Sequence, residues 1–248
     1  MSMLSDFISL AVFDMAGTTV RDQKEVENCF YEAAVQSELP ASRQRINDMQ
    51  GLPKKIVVQT LWGEAIGPDH PELPARVENT YALFCDILEN HYRTAEVAPA
   101  PGAPETLRQL REEGVKIALT TGFYRKVTNI ILQRLGWDAD LDETYMAVGP
   151  KAVVDLSLTP DETERGRPYP DMIQAAMRRL GVADPQRVVN LGDTPSDLLS
   201  GQAAGVGLSL GVSNGTHSRE ALLAYPHHHL LANTGELVPY LRRHFQLA

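Results

Sequence analysis

Five short apolar runs constrain this chain more than any other feature. They lie at residues 8–13, 115–119, 144–148, 188–191 and 207–210, and each is followed by turn residues. Runs of this length, bounded by turns, read as strands buried on both faces. Helical patterns lie between the later runs, at residues 104–113, 126–135, 171–180 and 196–204, stopped by Gly114, Gly136, Gly181 and Gly205. Pro104 opens the first of them, where proline suits an early helical position. The alternation predicts an α/β chain: a three-layer, Rossmann-like core with a parallel sheet and right-handed crossovers.

One block breaks that rhythm. Residues 21–97 are helical only, with candidate helices at 26–37, 54–62 and 74–92. The stretch Ala98-Pro99-Ala100-Pro101-Gly102 is a stiff linker at one end, and residues 17–22 form a hinge at the other. The expected organisation is a core of residues 1–20 and 98–248 with a helical cap, residues 21–97, inserted into it. The charge balance is 23 Lys+Arg against 32 Asp+Glu, net −9, which argues against a broad nucleic-acid or membrane surface. A small anion held by a local cluster of donors remains compatible with it. No apolar run approaches the ~18 residues of a membrane span, and the start MSMLSDF lacks the basic-then-apolar pattern of a signal peptide. Cys29 and Cys85 match no metal spacing and make no disulfide framework, so the expected setting is cytoplasmic.

Open α/β sheets bind ligands beyond the carboxyl ends of their strands. Four polar clusters fall there. Asp14-Met15-Ala16-Gly17-Thr18-Thr19 follows the first run. Its carboxylate can attack phosphorus, and the backbone N–H groups after it can form an anion nest; a turn aspartate is the plain alternative. Thr120-Thr121-Gly122 offers a hydroxyl and an amide for a phosphate oxygen, or an ordinary helix cap. Arg167, in Gly166-Arg167-Pro168-Tyr169-Pro170, offers a planar fork on a loop stiffened by proline, or a surface charge in a turn. Asp193 and Asp197 stand four residues apart before a helix, which suits a hard cation with oxygen ligands, or a capped helix with an acidic first turn.

Together, in this order and with an insert after the first cluster, the motifs resemble those of the haloacid dehalogenase superfamily of phosphohydrolases, over nearly the whole chain. The resemblance implies an aspartyl-phosphate enzyme with Asp14 as nucleophile. Met15, Ala16, Thr121, Gly122 and Arg167 would hold the phosphoryl group, with Thr120 as the alternative to Thr121. Mg²⁺ would be bound by Asp14, the Ala16 carbonyl and Asp193, with Asp197 serving the same site. Most phosphatases of the superfamily carry a second Asp two residues after the nucleophile, which protonates the departing alkoxide. Here that position is Ala16.

The phosphonatase branch dispenses with that acid. It is similar to this chain at Asp14-x-Ala16-Gly17-Thr18-Thr19, Thr121-Gly122, Gly166-Arg167-Pro168-Tyr169-Pro170 and Gly192-Asp193-Thr194. Its members cleave phosphonoacetaldehyde through an imine on a cap lysine, which accepts the electron pair as carbon leaves phosphorus. In Gly51-Leu52-Pro53-Lys54-Lys55-Ile56, Lys54 matches by its spacing from Gly51 and Lys55 by its neighbour Ile56. An attacking amine must be neutral, far below the usual lysine value of about 10.4. Two lysines opening a helix can equally be solvated, or Lys54 can simply grip an anion. This chain departs from the branch in carrying Val57 or Val58 where a His is usual, and in a longer connection at residues 151–164.

Three functions follow: a phosphonatase-like hydrolase, a phosphomonoester phosphatase of the phosphoglycolate type, and a non-catalytic phosphate-binding module. The partner expected is a small phosphorylated or phosphonate metabolite, and a homodimer is implied only by relatives that pair through their caps. His227, His228 and His229, with His217, read as a polar edge loop rather than a metal site. Trp62, Tyr81 and Phe84 read as cap core. Tyr124 and Tyr169 adjoin the motifs and are compatible with either packing or a place in the pocket.

Overall fold

The computed structural model describes residues 3–247. Six strands, β1 (Leu10–Phe13), β2 (Lys116–Thr120), β3 (Leu156–Leu158), β4 (Val188–Gly192), β5 (Leu208–Val212) and β6 (His229–Leu231), form one sheet in the order β3-β2-β1-β4-β5-β6. Every neighbouring pair is parallel. Among the described residues ten α-helices accompany them: α1 (Glu25–Gln36), α2 (Arg43–Asp48), α3 (Lys54–Ile66), α4 (Leu73–Thr94), α5 (Ala103–Glu112), α6 (Arg125–Leu135), α7 (Asp171–Arg179), α8 (Pro195–Ala204), α9 (Arg219–Leu222) and α10 (Leu237–His244).

The apolar strand runs explain the layering. Side chains alternate along β1, so Leu10 and Val12 join a cluster with Ile173 and Ala176 of α7. Ala11 and Phe13 join a larger cluster with Leu107 of α5, Ile131 of α6 and Leu241 of α10. Strands buried on both faces need continuous hydrophobicity rather than alternation, and that is what made them visible. In register, Phe13 is level with both Leu119 and Leu191. Asp14, Thr121 and Asp193 therefore emerge close together at one edge of the sheet.

Helices α1–α4 lie between β1 and α5 and share the larger apolar cluster. Phe30 of α1 meets Phe84 of α4 with ring centroids 5.0 Å apart. Trp62 Nε1 donates to Thr80 Oγ1 at 2.9 Å, joining α3 to α4. Trp62 and Phe84 are buried as expected of core, while Tyr81 is half-buried and meets Tyr124 edge-on at 6.1 Å. The two passages between sheet and insert are bonded to each other. Arg21 N donates to Ala98 O, and Ala100 N to Thr19 O, both at 2.9 Å.

Several elements differ from expectation. Residues 144–148 are not a sheet strand. Met146 makes only an isolated antiparallel bridge to Leu156, and Val148 is 69 % exposed. The place beside β2 belongs to β3, whose three residues are all buried. β3 lies inside the connection that the sequence made look long. β6, α2, α9 and α10 were not anticipated; β6 is a three-residue edge strand that begins in the histidine run.

Candidate active site

The loop after β1 is wound onto one carbonyl. Thr18, Thr19 and Val20 N–H groups all donate to Met15 O, at 3.1, 2.9 and 2.8 Å, and Thr19 Oγ1 donates to Asp14 O at 2.8 Å. The Asp14 carboxylate, 5 % exposed, is thereby fixed at the sheet's edge. Arg167 is buried beside it. Its Nη1 lies 2.7 Å from Asp14 Oδ1 and also contacts Asp197 Oδ1, and its Nη2 donates to Thr120 Oγ1 at 3.1 Å. One guanidinium thus joins three of the four sequence motifs.

The two threonines part ways. Thr120 braces Arg167, whereas Thr121 and Gly122 line the recess in front of Asp14. Thr121 Oγ1 also accepts from Phe123 N at 3.2 Å, closing the turn into α6. At the end of β4, Asp193 Oδ1 accepts from Thr18 Oγ1 at 3.1 Å and Oδ2 from Thr216 N at 2.6 Å. Asp197 Oδ2 accepts from Thr194 N at 3.0 Å and Thr194 Oγ1 at 2.6 Å. That reciprocal cap starts α8 and turns Asp197 inward.

Carboxylate oxygens of Asp14, Asp193 and Asp197 lie within 4.8 Å of one another, all buried. Burial, and then repulsion from Asp197, pushes the Asp193 carboxyl up to about 6. Burial also lifts Asp14 well above the ordinary carboxylate range; Arg167 opposes this, and Asp197 and Asp193 add to it. Buried carboxylates crowded in this way form an all-oxygen donor set short of positive charge, which fits a hard divalent cation.

The insert supplies the facing wall. Lys54 opens α3 and is 5 % exposed. Its Nζ donates to Gln50 Oε1 at 2.9 Å. Burial draws the amine down to about 8, against the raising influence of Asp14 and Asp22. Lys55 points away: its Nζ pairs with Glu78 at 2.6 Å on the surface. The segment before Lys54 is pressed against the core. At Gly51, φ is +84° and a Cβ would lie 2.3 Å from Thr194 Oγ1. At Gly122 a Cβ would lie 2.9 Å from Gly51 O. Side chains do not fit at either glycine, so Gly51 packs directly against Gly122 and Thr194 of the core. The recess between insert and core is lined by Asp14, Ala16, Lys54, Gln50, Thr121 and Asp22, among others.

The structure therefore gathers Asp14, Ala16, Lys54, Thr121, Gly122, Arg167, Asp193 and Asp197 at one place. Met15 is buried just behind, in the apolar cluster. Tyr124 does not line the recess but bonds the insert, its hydroxyl 3.0 Å from Glu89 Oε1. Tyr169 is 48 % exposed against Arg165. The histidine run points three ways. His227 Nδ1 contacts Tyr225 O, His228 Nδ1 accepts from Ser209 N, and His229 stacks on Tyr240. Asp22, Gln50 and Thr216 were missed. Thr216 follows a small polar loop after β5, a strand end like the other four and readable by the same rule. Asp22 and Gln50 carry no spacing signal of their own.

Comparison with known proteins agrees with this geometry. The family model of haloacid dehalogenase-like hydrolases matches residues 8–205. A phosphonoacetaldehyde hydrolase of Bacillus cereus (strain AH187) is 30 % identical over 227 residues, covering 83 % of this chain and 77 % of that protein. Among solved structures, a phosphonoacetaldehyde hydrolase-like protein from Oleispira antarctica superposes with a TM-score of 0.76 at 18 % identity, covering 96 % of this chain and 92 % of that one. A hydrolase from Pseudomonas syringae gives 0.75 at 21 %, covering 95 % and 98 %. At such identities the structures speak for the fold alone, while the family model and the sequence relative speak for descent. The chain is an enzyme that belongs to the haloacid dehalogenase-like hydrolases, in their phosphonatase-like branch.

Proposed function

We propose that this enzyme breaks the phosphorus–carbon bond of a small phosphonate aldehyde of the phosphonoacetaldehyde type, with Asp14 and Lys54 as its two covalent groups. The observation that carries the reading is the buried Lys54 amine facing the Asp14 recess beside Ala16. With its amine at about 8, roughly a tenth of Lys54 is neutral at pH 7, against well under a thousandth for an ordinary lysine.

In this reading neutral Lys54 adds to the aldehyde carbon, and the hydroxyl of the adduct takes up a proton from solvent and departs as water, leaving an iminium. Asp14 attacks phosphorus as the carbon–phosphorus pair moves into the iminium, giving an enamine on Lys54 and an aspartyl-phosphate on Asp14. Arg167 places its positive charge beside the phosphorus, and Thr121 with the Met15, Ala16 and Gly122 amides meets the phosphoryl oxygens. Protonation of the enamine and two hydrolyses release the aldehyde and phosphate. Asp14, the Ala16 carbonyl and Asp193 would hold Mg²⁺, with Asp197 fixing Arg167 and the turn behind them. When bound, the cation balances the charge that gathers between Asp14 and the phosphoryl group.

Residues 21–97 act in this reading as a cap whose closure keeps water from the phosphoryl site. The free thiols of Cys29 and Cys85 support a reducing, cytoplasmic setting. The test is borohydride trapping with phosphonoacetaldehyde, followed by peptide mapping. The expected result is a reduced adduct on Lys54, none on Lys55, and phosphate release that stops on trapping. Rapid phosphate release from monoesters with no adduct on lysine would replace this reading with a phosphomonoesterase.

A further inference from the structure

The reaction just described needs a proton on the leaving group, and the Asp14 loop offers no acid, because Ala16 stands where one would reach it. The recess has one more carboxyl. Asp22 lines it together with Asp14 and Lys54. It also lines an adjoining chamber with Lys24, Asn47, Gln50 and Thr216. Asp22, Gln50 and Thr216 belong to both spaces, so the chambers adjoin on the side where Gln50 holds Lys54. Asp22 and Lys54 therefore line the same recess, in front of Asp14.

We infer that Asp22 is the proton carrier of this site, supplying the leaving group with the proton that Ala16 cannot. The inference rests on the reading that Asp14 attacks phosphorus. Three observations support it. Asp22 is held in place, its Oδ1 accepting from Glu25 N at 2.9 Å. Burial, and then the neighbouring Glu25 carboxyl, push Asp22 up to about 7, while Asp22 holds Glu25 down. The Tyr92 hydroxyl is buried without a hydrogen-bond partner among the described residues, near the charges of Asp22, Glu25, Cys29 and Asp14. The ionisable groups facing Asp22 are Glu25 and Cys29 of α1, with Lys24 and Glu27 at the adjoining chamber. Lys54 of α3, Tyr92 of α4 and the sheet-end Asp14 and Asp193 complete them.

The step balances. As carbon leaves phosphorus, the bonding pair forms the enamine double bond and the nitrogen becomes neutral. The enamine carbon then takes the proton of the Asp22 carboxyl, which restores the iminium and leaves Asp22 as carboxylate. Water adds to the iminium carbon, its proton returns to Asp22, and the aldehyde departs from Lys54.

The experiment compares wild type, Asp22→Asn and Asp22→Glu on two substrates, phosphonoacetaldehyde and acetyl phosphate, whose acetate leaves without an acid. Asp22→Asn is expected to lose about 10²-fold or more in kcat on the phosphonate and to keep acetyl phosphate turnover within about threefold. Asp22→Glu is expected to recover part of the loss. The alkaline fall in wild-type kcat, where Asp22 gives up its proton, is expected to vanish in Asp22→Asn. An equal loss on both substrates, no loss on either, or an unchanged alkaline limb would overturn the inference. Failure of the underlying reading looks different: Asp14→Asn would then keep its activity on both substrates. A poorly folded Asp22→Asn is separable by its melting point. Folded Asp22 binds its proton more tightly than the unfolded chain does, so it costs stability as pH rises from about 4 to about 7. The amide is therefore expected to melt no lower than wild type at pH 8.

Discussion

The two walls of the recess are built on different principles. On the sheet side, each of Asp193 and Asp197 accepts two hydrogen bonds, and Arg167 joins Asp14, Asp197 and Thr120. That wall is a closed network whose members hold one another in place. On the insert side, Lys54 donates one hydrogen bond, to Gln50, Asp22 lines the recess, and Gly51 is pressed against Thr194 and Gly122. In the proposed reading the first wall takes the phosphoryl group. In the same reading the second wall supplies the amine, so the choice of what leaves phosphorus would belong to the insert.

The sharpest way to break this comparison is Asp14→Asn. It is expected to abolish phosphate release from every substrate, by about 10⁴-fold or more, while circular dichroism stays unchanged. Next comes Lys54→Met, expected to lower phosphonate cleavage about 10³-fold and to leave acetyl phosphate turnover nearly intact. The same lysine sets the acid side of the pH profile. It acts as the neutral amine, so phosphonate turnover is expected to climb with pH until loss of the Asp22 proton, at about 7, turns it down, with acetyl phosphate not sharing that climb.

Cation binding tests the other wall. Saturating Mg²⁺ at about a hundred times its Kd adds about 2.7 kcal/mol, or roughly 5–10 °C in melting temperature. Asp193→Asn is expected to erase most of that shift in a thermal melt. Gly51→Ala places a side chain at φ +84° against Thr194, and is expected to reduce kcat/KM on the phosphonate about tenfold. Lys55→Ala should sit at the bottom of the scale, changing turnover less than twofold, because its partner Glu78 is a surface charge.

The sheet wall was legible in the sequence because it is local. A buried parallel strand must be apolar throughout, so its end is visible, and its functional residues lie within a few positions of that end. Asp14, Thr121 and Asp193 all obey this rule. The insert wall was only half legible. Spacing alone left Lys54 and Lys55 open, because which of two neighbours turns inward depends on how α3 docks, a tertiary fact. Asp22 was named only as the end of a hinge; nothing in its neighbours says that the hinge delivers it into the recess. The strand placed at 144–148 failed for a related reason. Apolar content marks burial, and Met146 is only half-buried on a bridge outside the sheet, while the three residues of β3 were too few to stand out.

The paired crossings between sheet and insert carry a mechanical consequence. Arg21 to Ala98 and Thr19 to Ala100 are laced together, so the two crossings make a double-ply strap. Such a strap flexes as one piece and resists shear, because sliding one ply past the other would sever both rungs. Any swing of the helices would then follow a single arc. Asp22 is next to the strap and Lys54 rides the helices beyond it, so one stroke would bring acid and amine to the phosphorus in step.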